Sequence, residues 1–214
     1  MTEEIHQDQP VETAGEPLES ADAAVLMLHG RGATPGGILE LAREFDAATV
    51  AYLAPRADRR TWYPNPFTAP IESNQPHLDS ALATLGGLVE DVNEAGIGAK
   101  STLLLGFSQG ACLASEFAAR NPRRYGGLAV LSGGLIGPAV DAGDYAGDLA
   151  DTPAFVGCSD VDPHIPVERV EETTAILEGL GADVTERIYP EMGHTVNEDE
   201  VAFVGEMVET MTSG

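Results

Sequence analysis

The chain has 214 residues, of which 43% are hydrophobic, and this is enough apolar sequence to build one folded domain with a sizeable core. Its formal charge is −24, from 35 acidic and 11 basic residues. So acidic a chain argues against nucleic acid or an anionic membrane as a partner, because both need a positively charged protein surface.

The acidic residues are spread over the whole sequence, and lysine occurs once, at Lys100. This distribution favours adaptation to a concentrated-salt cytoplasm, where counterions screen the repulsion between carboxylates. An acidic docking surface is the alternative. The polar N-terminus lacks the apolar core of a signal peptide, and no apolar stretch approaches the ~20 residues that cross a bilayer. We therefore expect a cytoplasmic protein without stable membrane insertion.

The N-terminal residues 1–22 differ in composition from the rest of the chain. They contain seven acidic residues and no basic one, and glycine and proline interrupt any periodic pattern. Such a segment is typical of a flexible tail, with room for one short strand near its start. We expect a single domain over residues 23–214.

Strand and helix patterns alternate along this domain. Short apolar runs that stop at glycine or proline are typical of strands buried on both faces, and apolar residues at every third or fourth position are typical of helices. The predicted strands are 23–30, 49–55, 101–107, 127–133, 152–158 and 183–190, and the predicted helices are 36–47, 77–95, 109–121, 166–181 and 197–211. The alternation predicts an α/β fold in which helices cover both faces of a mostly parallel sheet.

Both cysteines fall in predicted buried elements, Cys112 in a helix and Cys158 at the end of a strand. We expect two free thiols rather than a disulfide. The sequence contains no CxxC, HExxH or EF-hand pattern, so we expect neither a metal nor another cofactor.

The segment GFSQG, residues 106–110, matches the G-x-S-x-G pattern of a serine nucleophile on a strained turn. It follows a predicted strand and precedes a predicted helix, which is the context that this turn requires. A glycine-rich chain can also match the pattern by chance. The assignment of Ser108 therefore depends on whether the chain supplies a base, an acid and an oxyanion hole.

The base and the acid should follow the serine in the order serine, acid, histidine. The chain has five histidines, and only His194, in a loop between the last strand and the last helix, leaves room for an intervening strand and helix. The acid should follow a strand between Ser108 and His194. The segment GCSDVDPHIP offers Asp160 and Asp162, of which we prefer Asp162 and keep Asp160 as the alternative.

An oxyanion hole needs two backbone N–H groups that point at the developing negative charge. The residue after the nucleophile, Gln109, begins a predicted helix, so the helix dipole adds positive potential there. The glycine-rich loop LHGRGATPGG, residues 28–37, follows the first predicted strand and offers the N–H of Arg31.

Six segments together resemble the phospholipase/carboxylesterase family of small serine hydrolases, which includes acyl-protein thioesterases and lysophospholipases. The matching segments run from about residue 24 to the C-terminus and are LHGRG, TWYP, GFSQGACLA, LSGG, SDVDPHIP and EMGHTVNEDE. The resemblance implies a minimal α/β-hydrolase without a cap domain. It assigns the roles of nucleophile, acid and base to Ser108, Asp162 and His194.

The first of these loops departs from the thioesterase members, which generally carry an HG(L/M)GD-like sequence where this chain has Arg31 and Ala33. The segments RRTWYPNPF and SDVDPHIP are more similar to a bacterial and archaeal esterase branch. The resemblance thus implies ester hydrolysis, and we expect it to act on small or medium-chain esters through an acyl-enzyme. We expect the protein to be a monomer or homodimer. Lysophospholipase or thioesterase activity is the alternative, and a non-catalytic binding module is a third. A dienelactone hydrolase is disfavoured because it normally carries cysteine at the position of Ser108.

The substrate pocket is expected from the long loops at 54–76 and 133–151. The first contains five prolines and the only tryptophan, and its aromatic residues argue against disorder. The apolar candidates to line the pocket are Trp62, Tyr63, Phe67 and Leu135, and core packing is the alternative role of each.

Overall fold

The computed structural model describes residues 4–45 and 47–212. The strands of this part of the chain are Val11–Gly15 (β1), Ala23–Leu28 (β2), Val50–Pro55 (β3), Thr102–Phe107 (β4), Gly127–Leu131 (β5), Pro153–Ser159 (β6) and Asp183–Tyr189 (β7). The α-helices are Pro35–Leu39 (α1), His77–Glu94 (α2), Gln109–Arg120 (α3), Val167–Gly179 (α4) and Glu198–Thr212 (α5). None of these helices is both long enough and apolar enough to cross a membrane.

The seven strands form one sheet in the order β1-β3-β2-β4-β5-β6-β7. All neighbouring strands are parallel except β1, which pairs antiparallel with β3. Parallel neighbours need crossover connections, and the helices between the strands supply them. The predicted α/β fold with a mostly parallel sheet is confirmed.

Two apolar cores lie on opposite faces of the sheet, because successive side chains of a strand point to opposite sides. Leu26 and Leu104 face the larger core, which helices α2, α3 and α4 cover. Val25 and Leu105 face the smaller core, which α1 and α5 cover. Helix α3 is buried along nearly its whole length, so the turn that precedes it rests on a rigid base.

The segment predicted as a helix over 36–47 is shorter and less regular. Helix α1 ends at Leu39, a 3₁₀ turn follows over Glu40–Glu44, and Phe45 is extended. Gly36 and Gly37 lower the helix propensity of this segment. Residue 46 lies outside the described residues.

The N-terminal segment packs on the sheet, which differs from the flexible tail that its composition predicts. Val11 pairs with Pro55 and Gly15 with Ala51 at the sheet edge. His6 is only 1% exposed. An edge strand with one exposed face accommodates acidic residues, so acidic composition is compatible with order here. The first three residues of the predicted tail lie outside the described part of the chain.

Candidate active site

Ser108 occupies a sharp turn between the end of β4 and the start of α3. Its φ of 57° and ψ of −120° are strained for a residue with a side chain, and its N–H donates to the Leu131 carbonyl at 2.9 Å. A Cβ atom at Gly106 would collide with the Gly110 carbonyl, and one at Gly110 would collide with the Leu28 carbonyl. Both glycines of GFSQG are therefore required by the close approach of backbone atoms.

His194 lies between Ser108 and Asp162 and is hydrogen-bonded to both. The distance from His194 Nδ1 to Asp162 Oδ2 is 2.6 Å, and that from His194 Nε2 to Ser108 Oγ is 2.9 Å. A carboxylate accepts hydrogen bonds, so Nδ1 carries the proton and Nε2 is free to accept from the serine hydroxyl. This tautomer is the one that a general base beside Ser108 requires.

The Asp162 side chain is completely buried, and both of its oxygens are paired. Oδ1 accepts from the backbone N–H groups of His164 at 2.8 Å and Ile165 at 3.1 Å, which leaves Oδ2 for His194. Cys158 Sγ lies 3.8 Å from Oδ2. Burial and the Asp162 charge raise the pKa of Cys158 to about 12, so this residue is a neutral thiol.

Asp160, the alternative acid, makes a different contact. Its Oδ1 accepts from the Glu191 N–H at 2.7 Å. The Ser159 hydroxyl accepts from the Gly193 N–H at 3.0 Å. The end of β6 therefore holds the loop that carries His194, while Asp162 contacts the imidazole itself.

The backbone N–H groups of Arg31 and Gln109 have no hydrogen-bond acceptor among the described residues. Both residues line the cavity that contains Ser108. Gln109 is the first residue of α3, where N–H groups lack intrahelical partners and the helix dipole is positive. Two free donors beside the serine are what an oxyanion hole needs.

A cavity of about 550 Å³ opens beside Ser108 and His194. Of the predicted pocket residues, Tyr63 and Phe67 line it. Trp62 and Leu135 do not; both are fully buried in the core. The expectation that these two line the pocket is therefore wrong, and their alternative role in core packing is the one observed.

These geometric features agree with the comparison of the sequence with known families. The model of the phospholipase/carboxylesterase family matches residues 11–212. The chain belongs to this family. The family predicted from the six segments is confirmed. The predicted class of enzyme, a hydrolase of the carboxylesterase/phospholipase type, is confirmed as well.

Relatives of this family member include lysophospholipase-like protein 1 of Mus musculus, which is 25% identical and aligns over 86% of this chain and 85% of its own. A probable inactive carboxylesterase of Oryza sativa subsp. japonica is also 25% identical, over 86% of this chain and 83% of its own. A phospholipase/carboxylesterase crystal structure from Dyadobacter fermentans is 42% identical, with a TM-score of 0.91 over 95% of this chain and 97% of that one. The predicted α/β-hydrolase fold is thereby confirmed.

The side chains of Arg31 and Gln109 have a structural role that the sequence did not reveal. The Arg31 guanidinium donates to the carbonyls of Tyr63, Pro64 and Asn65 at 2.8 to 2.9 Å. The Gln109 amide accepts from the Trp62 N–H at 3.0 Å and donates to the Tyr63 carbonyl at 2.8 Å. The two candidate oxyanion-hole residues thus fix the loop over residues 62–65, which forms part of the cavity wall.

The cavity also contains residues that sequence reasoning missed. They are Pro64, Pro66, Thr68, Cys112, His164 and Ile165. The ring of His164 lies 4.9 Å from that of His194 in an edge-on arrangement. Its position two residues after Asp162 was the available signal, because a loop that anchors the acid also brings its neighbours to the base.

Proposed function

We propose that this protein hydrolyses small or medium-chain carboxylic esters through a covalent acyl-enzyme on Ser108. The observation that carries the proposal is the continuous hydrogen-bonded line from Ser108 through His194 to Asp162 at the mouth of a cavity. A serine hydroxyl is a weak nucleophile, and this line supplies the base that activates it.

In the first step, Ser108 Oγ attacks the ester carbonyl carbon while its proton passes to His194 Nε2. The Asp162 carboxylate stabilises the imidazolium that forms and keeps Nδ1 protonated. The carbonyl oxygen becomes negatively charged, and the N–H groups of Arg31 and Gln109 are free to bind it. The C–O bond to the alcohol then breaks, and His194 returns the proton to the departing alkoxide.

In the second step, water hydrolyses the acyl-enzyme. His194 Nε2 takes a proton from the water, the hydroxide attacks the acyl carbon, and Ser108 recovers its proton as the carboxylic acid leaves. The acyl or alcohol group of the substrate occupies the cavity between Phe67, Tyr63 and Ile165. These largely apolar walls suit a small or medium hydrocarbon chain.

Substitution Ser108→Ala tests the proposal. We expect kcat for short p-nitrophenyl esters to fall by at least about 10³-fold, because the acyl-enzyme cannot form. Ser20→Ala is the control, since Ser20 is exposed and its hydroxyl contacts Glu16 and the Pro17 carbonyl. Wild-type turnover by the Ser108→Ala protein would overturn the proposal.

The second candidate is hydrolysis of long-chain acyl esters or thioesters with the same three residues. It is favoured by relatives named lysophospholipase-like protein 1 and acyl-protein thioesterase 1, the latter 28% identical over 58% of this chain. A series of p-nitrophenyl esters and acyl thioesters of increasing chain length separates the two. We expect kcat/KM to be highest for short or medium oxygen esters.

The third candidate, a non-catalytic binding module, is raised by the rice relative that is named as inactive. The hydrogen bonds among Ser108, His194 and Asp162 favour the catalytic proposal, since a degraded site would lack one of the three. The Ser108→Ala comparison separates these two as well, because a binding module would have no turnover to lose.

A further inference from the structure

A second cleft, of about 380 Å³, lies outside the candidate active site and has an unusual charge for this molecule. It is lined by Gln9, Thr34, Arg56, Ala57, Arg59 and Arg60. Three of the 11 basic residues of a chain with net charge −24 thus meet at one place. We propose that this arginine cleft binds an oxyanion, that is, a phosphate or carboxylate group of a ligand.

The arginines of this cleft are only weakly neutralised by the protein. Arg56 contacts Glu12 at 3.3 Å, with both side chains about two-fifths exposed, and Arg59 lies 3.7 Å from Asp58. Arg60 has no ion pair with any residue that the structure describes. Exposed pairs of this kind contribute little free energy. The guanidinium groups therefore remain available to a ligand.

Arg56 adds a second observation. Its Nε is buried and has no hydrogen-bond partner among residues 4–45 and 47–212. A guanidinium pairs best with the two oxygens of a carboxylate or phosphate. Because this Nε is closed to solvent, an oxyanion in the arginine cleft would pair with the terminal nitrogens of Arg56, whose side chain is about two-fifths exposed.

The backbone below the cleft is held by two buried histidines, so the arginines project from a rigid loop. His29 Nε2 accepts the Ala57 N–H at 3.2 Å, and His6 Nδ1 accepts the Asp58 N–H at 2.9 Å. Burial lowers the pKa of both histidines, which keeps them neutral and able to accept. A preformed site loses little conformational entropy when a ligand binds.

The loop conformation is also strained at the two arginines that complete the cleft. Arg59 and Arg60 have φ values of 48° and 60°, which residues with side chains rarely adopt. The Arg60 carbonyl accepts the Gly32 N–H at 2.7 Å, one residue after Arg31. The arginine cleft is thus hydrogen-bonded directly to the loop that carries the Arg31 N–H. Binding of an oxyanion in the arginine cleft does not require the proposed esterase activity.

Isothermal titration of the full chain with inorganic phosphate and, separately, with succinate tests this site. The salt is potassium chloride at one fixed ionic strength for both ligands. We expect saturable binding of at least one anion to a single site per chain. Tighter binding of phosphate would identify a phosphate-bearing ligand, and tighter binding of succinate a carboxylate-bearing one. Absence of saturable binding by either anion would overturn the proposal.

Variants then locate the binding. We expect Arg60→Gln and Arg59→Gln each to raise the Kd of the bound anion by about tenfold or more, because each variant loses a charge-assisted hydrogen bond. The Arg59 side chain is 92% exposed, so its substitution should leave the fold intact. Arg43→Gln is the control, because Arg43 is exposed, is paired with Glu40 and lies outside the cleft. Equal weakening by Arg43→Gln, or no weakening by either cleft variant, would contradict the assignment.

Discussion

The Asp162 carboxylate has two oxygens with separate partners. Oδ1 accepts two backbone N–H groups of its own loop, and Oδ2 accepts from His194 Nδ1. The backbone bonds fix the orientation of the side chain, so the remaining oxygen stays directed at the imidazole. A residue that is anchored in this way can set the tautomer of His194 in the proposed mechanism.

Asp162→Asn should therefore be far more harmful than Asp160→Asn. The amide of asparagine can donate to the imidazole, which favours the tautomer with the proton on Nε2, where it blocks the proposed base. We expect kcat to fall by about 10³ to 10⁴-fold for Asp162→Asn. The check is the turnover of a short p-nitrophenyl ester by both variants. A larger loss for Asp160→Asn would contradict the assignment of the acid.

The G-x-S-x-G pattern selected Ser108, chain order selected His194, and the family resemblance supported Asp162 over Asp160. In the structure these three side chains are in hydrogen-bond contact. The sequence was less informative where neighbours in one loop differ only in the direction of their side chains. Trp62 and Tyr63 are adjacent and aromatic, yet the Trp62 indole donates inward to the His29 carbonyl while Tyr63 lines the cavity.

At the scale of elements, the start of α5 is stabilised by reciprocal hydrogen bonds. The Asn197 side chain accepts the Glu200 N–H, and the Glu200 carboxylate accepts the Asn197 N–H, both at 2.9 Å. This capping box satisfies two donors at the beginning of the helix. It also leaves the Glu200 carboxylate fully buried, with Oε1 lacking a hydrogen-bond partner among the described residues.

The buried cap makes stability depend on pH. Burial raises the pKa of Glu200 from its ordinary 4.5 to about 7. The folded state thus favours protonated Glu200. The free energy of unfolding therefore falls as the pH rises from the ordinary pKa of glutamate through about 7.

Glu200→Gln keeps a neutral cap at every pH. In mildly alkaline buffer we expect the variant to be more stable than the wild type by about 2 kcal/mol, and the difference to vanish near the ordinary pKa of glutamate. Urea unfolding followed by circular dichroism at several pH values measures this difference. Glu198→Gln, at an exposed position of the same turn, is the control. An equal response of both variants would contradict the role of burial.

Most elements were predictable because buried strands and amphipathic helices have distinct periodicities. Helix α2, for example, was expected over 77–95 and spans His77–Glu94. Elements whose stability comes from tertiary contacts were not predictable in the same way. The sequence allowed one short strand in the N-terminal segment, but the bounds of β1 depend on pairing with β3. Helix α1 ends at Leu39 although the apolar spacing continues to Phe45.

At the scale of the whole molecule, the acidic residues cover the exposed faces of the helices. Examples are Glu90, Asp91 and Glu94 on α2 and Glu171 and Glu172 on α4. Carboxylates this numerous repel one another in dilute solution, and dissolved salt screens the repulsion. The surface distribution is in keeping with the hypothesis of adaptation to concentrated salt.

We expect the thermal unfolding midpoint to rise between dilute buffer and molar potassium chloride. The reason is that screening removes self-repulsion from the folded state, where the charges are closest together. Circular dichroism during heating measures the midpoint, and sorbitol at matched osmolality is the control for effects other than screening. A midpoint that stays constant or falls in salt would reject salt adaptation and favour the alternative of an acidic docking surface.

Every step of the proposed mechanism requires Ser108 to be an activated nucleophile, and covalent labelling measures this property at the residue itself. A fluorophosphonate probe reacts with a serine whose proton a neighbouring base removes. Intact-protein mass spectrometry followed by peptide mapping should find one adduct, on Ser108, and Ser108→Ala should carry none. A protein that remains unlabelled, or one labelled at another residue with Ser108 free, would contradict the proposed role of Ser108 as the nucleophile.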